Sequence, residues 1–206
     1  MKRVVVLDYG SGNLRSAQRA LERVGVDVTV TTDLGAAASA DGLVVPGVGA
    51  YAACMLGIDA SGAGPVIAER ISIGAPVLGI CVGMQVLFEA GDEHGVVTKG
   101  LGFVPGTVTR LTAPVVPHMG WNTVAWPDGS ALGAGLDQEA RFYFVHSYAA
   151  RPGDALAGAG AKAAVTVHGE AFAAAVEHGV LAATQFHPEK SGDAGATLLT
   201  NWVGLL

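Results

Sequence analysis

Short apolar segments that alternate with helical segments are the feature that most constrains the fold of this chain. The apolar runs 4–7, 43–45 and 77–80 each have the length of a buried strand. The segments between them repeat apolar residues at helical spacing, and the first one closes at Gly25, where a helix-ending glycine belongs. This alternation predicts βαβ units and therefore an α/β fold with a mostly parallel sheet.

The second half of the chain departs from this pattern. Four segments have strand-like composition and are separated by turn residues: 103–111, 115–118, 123–125 and 142–145. A last apolar strand at 180–186 and a closing helix at 192–202 follow. We expect antiparallel additions to a doubly wound parallel sheet, within a single domain that spans residues 1–206. Function should lie at the carboxyl ends of the strands.

Composition excludes several classes of partner. The chain has a formal charge of −6 and no basic run, so it repels nucleic acid and anionic membranes.

Residues 71–88 carry no charge, but three glycines and a proline interrupt them, which argues against a membrane span. The first apolar run ends at Asp8, too early for an export signal. We therefore expect a cytoplasmic protein in which both cysteines are free thiols.

A candidate nucleophile, Cys81, lies in the segment Gly79-Ile80-Cys81-Val82-Gly83, between an apolar strand and the run 84–88, which we expect to be helical. The form Gly-x-nucleophile-x-Gly is typical of a sharp strand-to-helix turn that exposes a reactive side chain. Glycines relieve the crowding at such a turn, and a helix N-terminus favours the thiolate. A small buried structural cysteine would fit these five residues as well. Cys54 lacks such a turn and is expected to be structural.

A candidate general base follows the last predicted strand, in Gln185-Phe186-His187-Pro188-Glu189. His187 could take the thiol proton and return it to a leaving amine, while Glu189 accepts the other ring N–H and fixes the tautomer. A lone histidine is more often a surface or core residue. The interpretation of His187 as a general base therefore depends on its occurrence together with Cys81. His-x-Glu also occurs in zinc deaminases, but their C-x-x-C partner motif is missing here, and we expect no metal.

Acyl chemistry also needs donors for an oxyanion. The N–H of Val82, directly after the nucleophile, is one candidate, and the turn Pro46-Gly47-Val48-Gly49 supplies a second. The turn could equally be an ordinary end of a strand. Because Val48 is not a glycine, we hypothesise that its N–H does not point inward permanently.

Together these motifs resemble those of the class I glutamine amidotransferases, in Gly-Ile-Cys-Val-Gly-Met-Gln around Cys81 and in His187-Pro-Glu189. Two further segments, Asp8-Tyr-Gly-Ser-Gly-Asn-Leu-Arg-Ser16 and Pro117-His-Met-Gly-Trp-Asn122, narrow the resemblance to the glutaminase subunits of imidazole glycerol phosphate synthases, in histidine biosynthesis. Phe142-Tyr-Phe-Val-His-Ser-Tyr148 follows the same pattern, so the resemblance spans nearly the whole chain.

The resemblance implies a flavodoxin-like fold and hydrolysis of glutamine through a glutamyl thioester on Cys81, without a cofactor. The ammonia would pass to a cyclase subunit with a (β/α)₈-barrel fold, which makes imidazole glycerol phosphate and an aminoimidazole carboxamide ribonucleotide. By similarity, Val48 and Val82 would form the oxyanion hole. The implied glutamine contacts are Gly49, Gln85, Ser147 and Tyr148. The implied contacts with the cyclase are Asn13, Trp121 and Lys190. Each also has a plainer interpretation: Asn13 as a turn residue, Trp121 as a core aromatic and Lys190 as a solvated charge.

Three alternatives stay open at this point. A dinucleotide-binding module would use Gly10-Ser11-Gly12 and Asp33, but Arg15 stands where that fingerprint needs a small residue. A cysteine peptidase would need only Cys81 and His187 and would leave the other two motifs unexplained. A glutaminase that serves a different synthase is the third, against which the segment 117–122 argues.

Overall fold

The computed structural model describes residues 1–206, and its centre is a seven-stranded sheet. The parallel strands are β1 (Arg3–Leu7), β2 (Asp27–Thr31), β3 (Gly42–Gly47), β4 (Val77–Cys81) and β13 (Leu181–Thr184). The hairpin of β11 (Lys162–His168) and β12 (Glu170–His178) is added antiparallel beside β13, which gives the order β11-β12-β13-β4-β3-β1-β2. The predicted α/β fold, with a mostly parallel sheet and antiparallel additions, is confirmed.

Seven helices flank this sheet. They are α1 (Leu14–Arg23), α2 (Leu34–Ser39), α3 (Tyr51–Ser61), α4 (Ala63–Ser72), α5 (Val82–Gln85), α6 (Asp154–Gly158) and α7 (Gly192–Val203), with a 3₁₀ turn at Pro188–Lys190. Helix α1 packs against α7, whereas α4 packs against α2 and α3. Gly25 ends the first helical segment at φ 87°, in the left-handed conformation that glycine tolerates.

Two smaller sheets lie beside the main one. The first contains β10 (Tyr148–Ala150), β7 (Val104–Arg110), β5 (Phe88–Glu93) and β6 (Val96–Lys99), in that order. The second is the antiparallel pair of β8 (His118–Thr123) and β9 (Arg141–His146). These two sheets supply one wall of the cavity described below.

Several elements differ from the sequence-based predictions. Residues 84–88 do not form a helix: α5 ends at Gln85, and Phe88 begins β5, where it pairs with Val104. When every residue of an apolar run is buried, the run has no polar face. Its periodicity then does not distinguish a strand from a helix. The predicted strand 115–118 begins only at His118, after Pro117, which has no N–H to give to a ladder. Helix α2 and strands β5, β6, β10, β11 and β12 were not predicted.

The core is a single cluster of 53 buried hydrophobic residues. Strands β1, β3 and β4 contribute almost continuously buried runs, as expected for a sheet covered on both faces. Leu198, Leu199 and Trp202 are buried on the inner face of α7, as predicted. No single helix has the length and apolar character to cross a membrane. The bent pair α3 and α4, at 86°, meets those two criteria only when its helices are taken together.

Candidate active site

Cys81 lies at the carboxyl end of β4 in a strained backbone conformation, with φ 58° and ψ −115°. A non-glycine residue rarely adopts positive φ, and such strain concentrates at functional sites. The flanking glycines make the turn possible, because a Cβ on Gly83 would lie 1.9 Å from the carbonyl oxygen of Val45 and one on Gly79 only 2.7 Å from that of Gly83. The expected strand-to-helix turn is present. Helix α5 is only four residues long, so its dipole at Cys81 is smaller than the sequence suggested.

His187 follows β13 and faces the same cavity as Cys81. Its Nδ1 lies 2.8 Å from Oε1 of Glu189, and both side chains are only 3% exposed. The backbone N–H of His187 donates to the carbonyl of Tyr143 at 2.9 Å, while the hydroxyl of Ser191 donates to the carbonyl of His187 at 2.6 Å. The residue is therefore held from both sides, and Nε2 is the ring nitrogen left for chemistry.

The contacts of His187 favour its protonated form. Burial acts to lower the pKa of His187, but its contacts with the Cys81 sulfur and the Glu189 carboxylate outweigh burial and raise the pKa to about 9. The structure thus brings together the three residues that the sequence proposed as a triad. The arrangement can deliver a nucleophile to a carbonyl carbon and a proton to the leaving group on that carbon.

A cavity of about 260 Å³ opens above Cys81. All four residues expected to contact glutamine line it, together with both expected oxyanion donors: Gly49, Gln85, Ser147, Tyr148, Val48 and Val82. Gln85 is 3% exposed, and its amide nitrogen donates to the carbonyl of Tyr148 at 2.8 Å and to Oε1 of Gln185 at 2.9 Å. Its side-chain carbonyl oxygen is the polar atom that it can offer to a ligand.

The backbone amide of Val48 is engaged elsewhere. Its N–H donates to Oγ of Ser11 at 3.1 Å, and the Ser11 hydroxyl donates back to the Val48 carbonyl at 2.9 Å. The thiol of Cys54 contacts the same carbonyl at 3.4 Å. In this structure the N–H of Val48 therefore does not serve an oxyanion, which agrees with the hypothesis that it does not point inward permanently. Cys54 lies behind the loop as a buried free thiol.

Glu93 is a cavity residue that sequence reasoning missed. It ends β5, is half-buried, and accepts a hydrogen bond from the backbone N–H of Tyr51 at 2.9 Å. Nothing in the local sequence separates it from Glu89 and Asp92, which share its strand. Only the long-range pairing of β5 with β7 places its carboxylate in the cavity.

Of the three residues expected at a partner interface, only Lys190 lines the cavity. Trp121 is 53% exposed and packs edge-on against Tyr143, with ring centroids 5.9 Å apart. Nζ of Lys190 lies 5.7 Å from the centroid of the same Tyr143 ring. Asn13 is exposed, makes no side-chain cap for α1, and borders a small pocket shared with Val48 and Glu189.

The dinucleotide-binding interpretation loses its support in the structure. Asp33 accepts hydrogen bonds from the N–H groups of Gly35 and Ala36. Its carboxylate therefore caps helix α2, whereas a dinucleotide site would use it to bind a ribose. Gly12 packs against Pro46, where a Cβ would approach to 2.8 Å. No group of three or more His, Cys, Asp or Glu side chains that could hold a metal ion is present.

Comparisons with known proteins agree with the geometry. The family model described as "Glutamine amidotransferase class-I" matches residues 5–204. The imidazole glycerol phosphate synthase subunit HisH of Mycobacterium bovis is 63% identical over 202 residues, which covers 98% of this chain and 97% of the relative. The subunit of the same name from Streptomyces avermitilis is 59% identical over 209 residues and covers 100% and 97%.

Solved structures share the fold at lower identity. A putative GMP synthase subunit from Thermoplasma acidophilum has a TM-score of 0.73 at 23% identity, covering 100% of this chain and 94% of that one. PurLQS from Thermotoga maritima has a TM-score of 0.69 at 18% identity, covering 99% of each chain. At such identity the likeness shows the fold alone. With the family match and the full-length relatives, we conclude that the chain belongs to the class-I glutamine amidotransferases and, among them, to the HisH subunits of imidazole glycerol phosphate synthase.

Proposed function

We propose that residues 1–206 act as one glutaminase domain, which hydrolyses glutamine to glutamate and ammonia and supplies the ammonia to a cyclase subunit. The observation that carries this proposal is the strained Cys81, set beside the buried His187–Glu189 pair in a cavity of about 260 Å³. A glutamine side chain reaching into this cavity would present its amide carbon to the sulfur.

The chemistry runs in two halves. The Cys81 thiolate attacks the side-chain amide carbon of glutamine, and His187 donates its Nε2 proton to the departing nitrogen, so the C–N bond breaks and ammonia leaves. The product of this half is a γ-glutamyl thioester. His187, now neutral, takes a proton from water, whose oxygen attacks the thioester carbon, and the C–S bond breaks to give glutamate and the thiolate. Glu189 holds the imidazole ring of His187 in the same orientation throughout.

Recognition of glutamine follows from the charges of the cavity. The carbonyl oxygen of Gln85 and the carboxylate of Glu93 are acceptors suited to the substrate's nitrogens, and Glu93 matches the positive α-amino group. Gly49, Ser147 and Tyr148 line the same space. We assign these residues to substrate binding.

The oxyanion that forms in both halves needs donors from Val82 and Val48. Because the N–H of Val48 is held by Ser11, the peptide must turn before this second donor is available. We therefore expect slow glutamine turnover by the isolated chain and faster turnover when a partner changes the loop.

We place the cyclase on the face that carries Trp121, Lys190 and Asn13. A (β/α)₈ barrel docked there would cover the rim of the cavity and keep ammonia away from water. In this complex the cyclase would make imidazole glycerol phosphate and an aminoimidazole carboxamide ribonucleotide, while this chain would bind glutamine only.

The test is glutamate release from glutamine, measured with and without the cyclase and its nucleotide ligand. We expect release that depends on the partner and is lost in Cys81→Ala, with the wild-type complex as reference. Turnover that no barrel partner alters would contradict the gating, and wild-type rates in Cys81→Ala would contradict the mechanism. Cleavage of peptides without glutaminase activity would point to a peptidase, and stimulation only by another synthase would point to a different partner.

A further inference from the structure

Two buried histidines are not used by the proposed chemistry, and one of them, His146, lines the glutamine cavity. His118 begins β8 and His146 ends β9, and the two residues face each other across the antiparallel ladder. They are 5% and 7% exposed, and Nδ1 of His118 lies 3.1 Å from Nε2 of His146. A buried polar pair of this kind stabilises one arrangement only when each nitrogen has a partner of the right kind.

The partners of this pair allow one arrangement of protons. Nδ1 of His146 lies 2.9 Å from the carbonyl oxygen of Tyr148, which can only accept, so Nδ1 carries the proton. Nε2 of the same neutral ring then accepts from Nδ1–H of His118. Nε2 of His118 accepts in turn from the Asn122 amide nitrogen, 3.4 Å away, and the amide is oriented because its oxygen accepts from the N–H of Thr123 at 2.9 Å.

Both rings stay neutral near pH 7. Burial, reinforced by the nearby His168, lowers the pKa of His118 to about 4. Burial also lowers the pKa of His146 to about 3, against the opposing effect of its hydrogen bond to the Tyr148 backbone. The order of donors and acceptors along this series of hydrogen bonds is therefore fixed near neutral pH.

This series of hydrogen bonds ends at Gln85, which lines the glutamine cavity. The Tyr148 carbonyl accepts from His146 and, at 2.8 Å, from the amide nitrogen of Gln85. Both N–H groups of Gln85 are engaged, one by Tyr148 and the other by Gln185. The amide of Gln85 therefore cannot flip without losing two hydrogen bonds, and its carbonyl oxygen is left as the acceptor for a ligand.

We propose that His146, oriented by His118, is a positioning residue that fixes the Tyr148 carbonyl and thereby sets the Gln85 carboxamide in the orientation that binds glutamine. This inference rests on the proposed glutaminase function. It also accounts for the alternation along β8, where His118 is buried among these hydrogen bonds while Met119 and Trp121 are 67% and 53% exposed. Strand β8 thus carries exposed side chains on one face and, on the other, a histidine that helps to position the substrate site.

The experiment compares His146→Asn with His146→Gln in the complex with the cyclase and its nucleotide ligand. Asparagine can place its amide nitrogen near the position of Nδ1 and donate to Tyr148, whereas glutamine places its nitrogen near Nε2 and cannot. We expect the Gln variant to raise KM for glutamine roughly tenfold while kcat changes less than about threefold. The Asn variant should stay within about threefold of the wild type in both constants.

The matched control is His178→Gln, because His178 lies beside the opposite end of β13, hydrogen-bonded to the Phe103 carbonyl. Its KM and kcat should equal those of the wild type. A second readout is the glutamine concentration that halves the rate of Cys81 alkylation by iodoacetamide, which should rise with KM in the His146→Gln variant.

Two results would overturn the positioning role: equal KM values in the two His146 variants, or a fall in kcat with KM unchanged. Both variants are polar replacements of similar volume, so each is expected to fold, and melting temperatures verify this. Absence of glutamate release by the wild-type complex is a different result, since it would overturn the proposed function itself and this inference with it.

Discussion

At the residue scale, the proposed mechanism depends on the orientation of the Val48 amide. Ser11 binds both the N–H and the carbonyl of this one residue, at 3.1 and 2.9 Å, and Cys54 adds a weaker contact to the same carbonyl. Two reciprocal hydrogen bonds hold a peptide unit in one orientation more firmly than either would alone. A triad that is otherwise assembled can therefore lack its second oxyanion donor until this pair of bonds is released.

We predict that Ser11→Ala raises glutamine turnover by the isolated chain by roughly tenfold or more, because the two hydrogen bonds between Ser11 and Val48, together worth at least about 1.4 kcal/mol, no longer favour the turned-away amide. Glutamate release without cyclase is the measurement. Ser72→Ala is the control, since its hydroxyl binds only the Glu69 carbonyl within α4. Unchanged or lower partner-free turnover in Ser11→Ala would show that Ser11 does not restrain the loop.

Glu93 offers a second test at the residue scale. Glu93→Gln keeps an acceptor for the Tyr51 N–H but removes the negative charge, so KM for glutamine should rise roughly 10- to 100-fold, the range of one charge-assisted hydrogen bond. Glu89→Gln, on the same strand but exposed and bonded to Gly106, should leave KM unchanged. Steady-state kinetics of the complex give both values. An equal KM in the two variants would remove Glu93 from the binding site.

Arg70 shows how elements are joined in this fold. It belongs to α4, is 1% exposed, and has no carboxylate partner. Its guanidinium instead donates to backbone carbonyls at the end of α2 and at the start of β3 and β4. The acceptors are Ala37, Ala38, Ala40, Asp41 and Pro76. A buried cation can persist here because carbonyl dipoles from three elements replace water.

We predict that Arg70→Met lowers the free energy of unfolding by roughly 2–4 kcal/mol, because several buried carbonyls lose their donor and methionine cannot replace it. Urea denaturation monitors the change. Arg19→Met, at an exposed position of α1, should shift stability by less than about 0.5 kcal/mol. Similar stabilities of the two variants would mean that water replaces the guanidinium at no loss.

At the scale of the whole molecule, different histidines make the stability depend on pH below and above pH 6.5. His118 and His146 have pKa values of about 4 and 3, below the 6.5 of an unfolded histidine, so the unfolded chain binds their protons first. Stability from these two is complete above pH 6.5 and is lost as pH falls. The pKa of His187, about 9, is raised, so its stabilisation is present below pH 6.5 and is lost as pH rises through 9.

We therefore expect the free energy of unfolding to be largest near pH 6.5 and to fall by on the order of 6 kcal/mol towards pH 4, about 3 kcal/mol for each of the two histidines. Urea denaturation at closely spaced pH values measures the profile. In Cys81→Ser the alkaline decline should shrink, because the contact with the Cys81 sulfur that raises the pKa of His187 is gone, while the acid decline persists. A stability that is constant between pH 6.5 and 4.5 would contradict the burial of the two neutral histidines.

The predictable part of the structure was local. Glycine at 25, the elbow around Cys81 and the apolar runs of the parallel strands depend on a few neighbouring residues, and the structure places each where expected. The triad was predictable as well, because carboxyl ends of parallel strands share one edge of the sheet. The helix expected at residues 84–88 was wrong because a fully buried run has no polar face, so only its partner strand decides between helix and strand.

Local sequence was sufficient to predict the fold class and to propose Cys81 as nucleophile and His187 as its base, because strand length, helical spacing and turn chemistry depend on adjacent residues. Tertiary structure alone decided that Glu93 faces the cavity, that Ser11 holds Val48, and that His118 meets His146. Each of these contacts joins side chains or loops from segments about 30 or more residues apart, so no local pattern records it. Their direction depends on strand register, where a shift of one residue reverses every side chain.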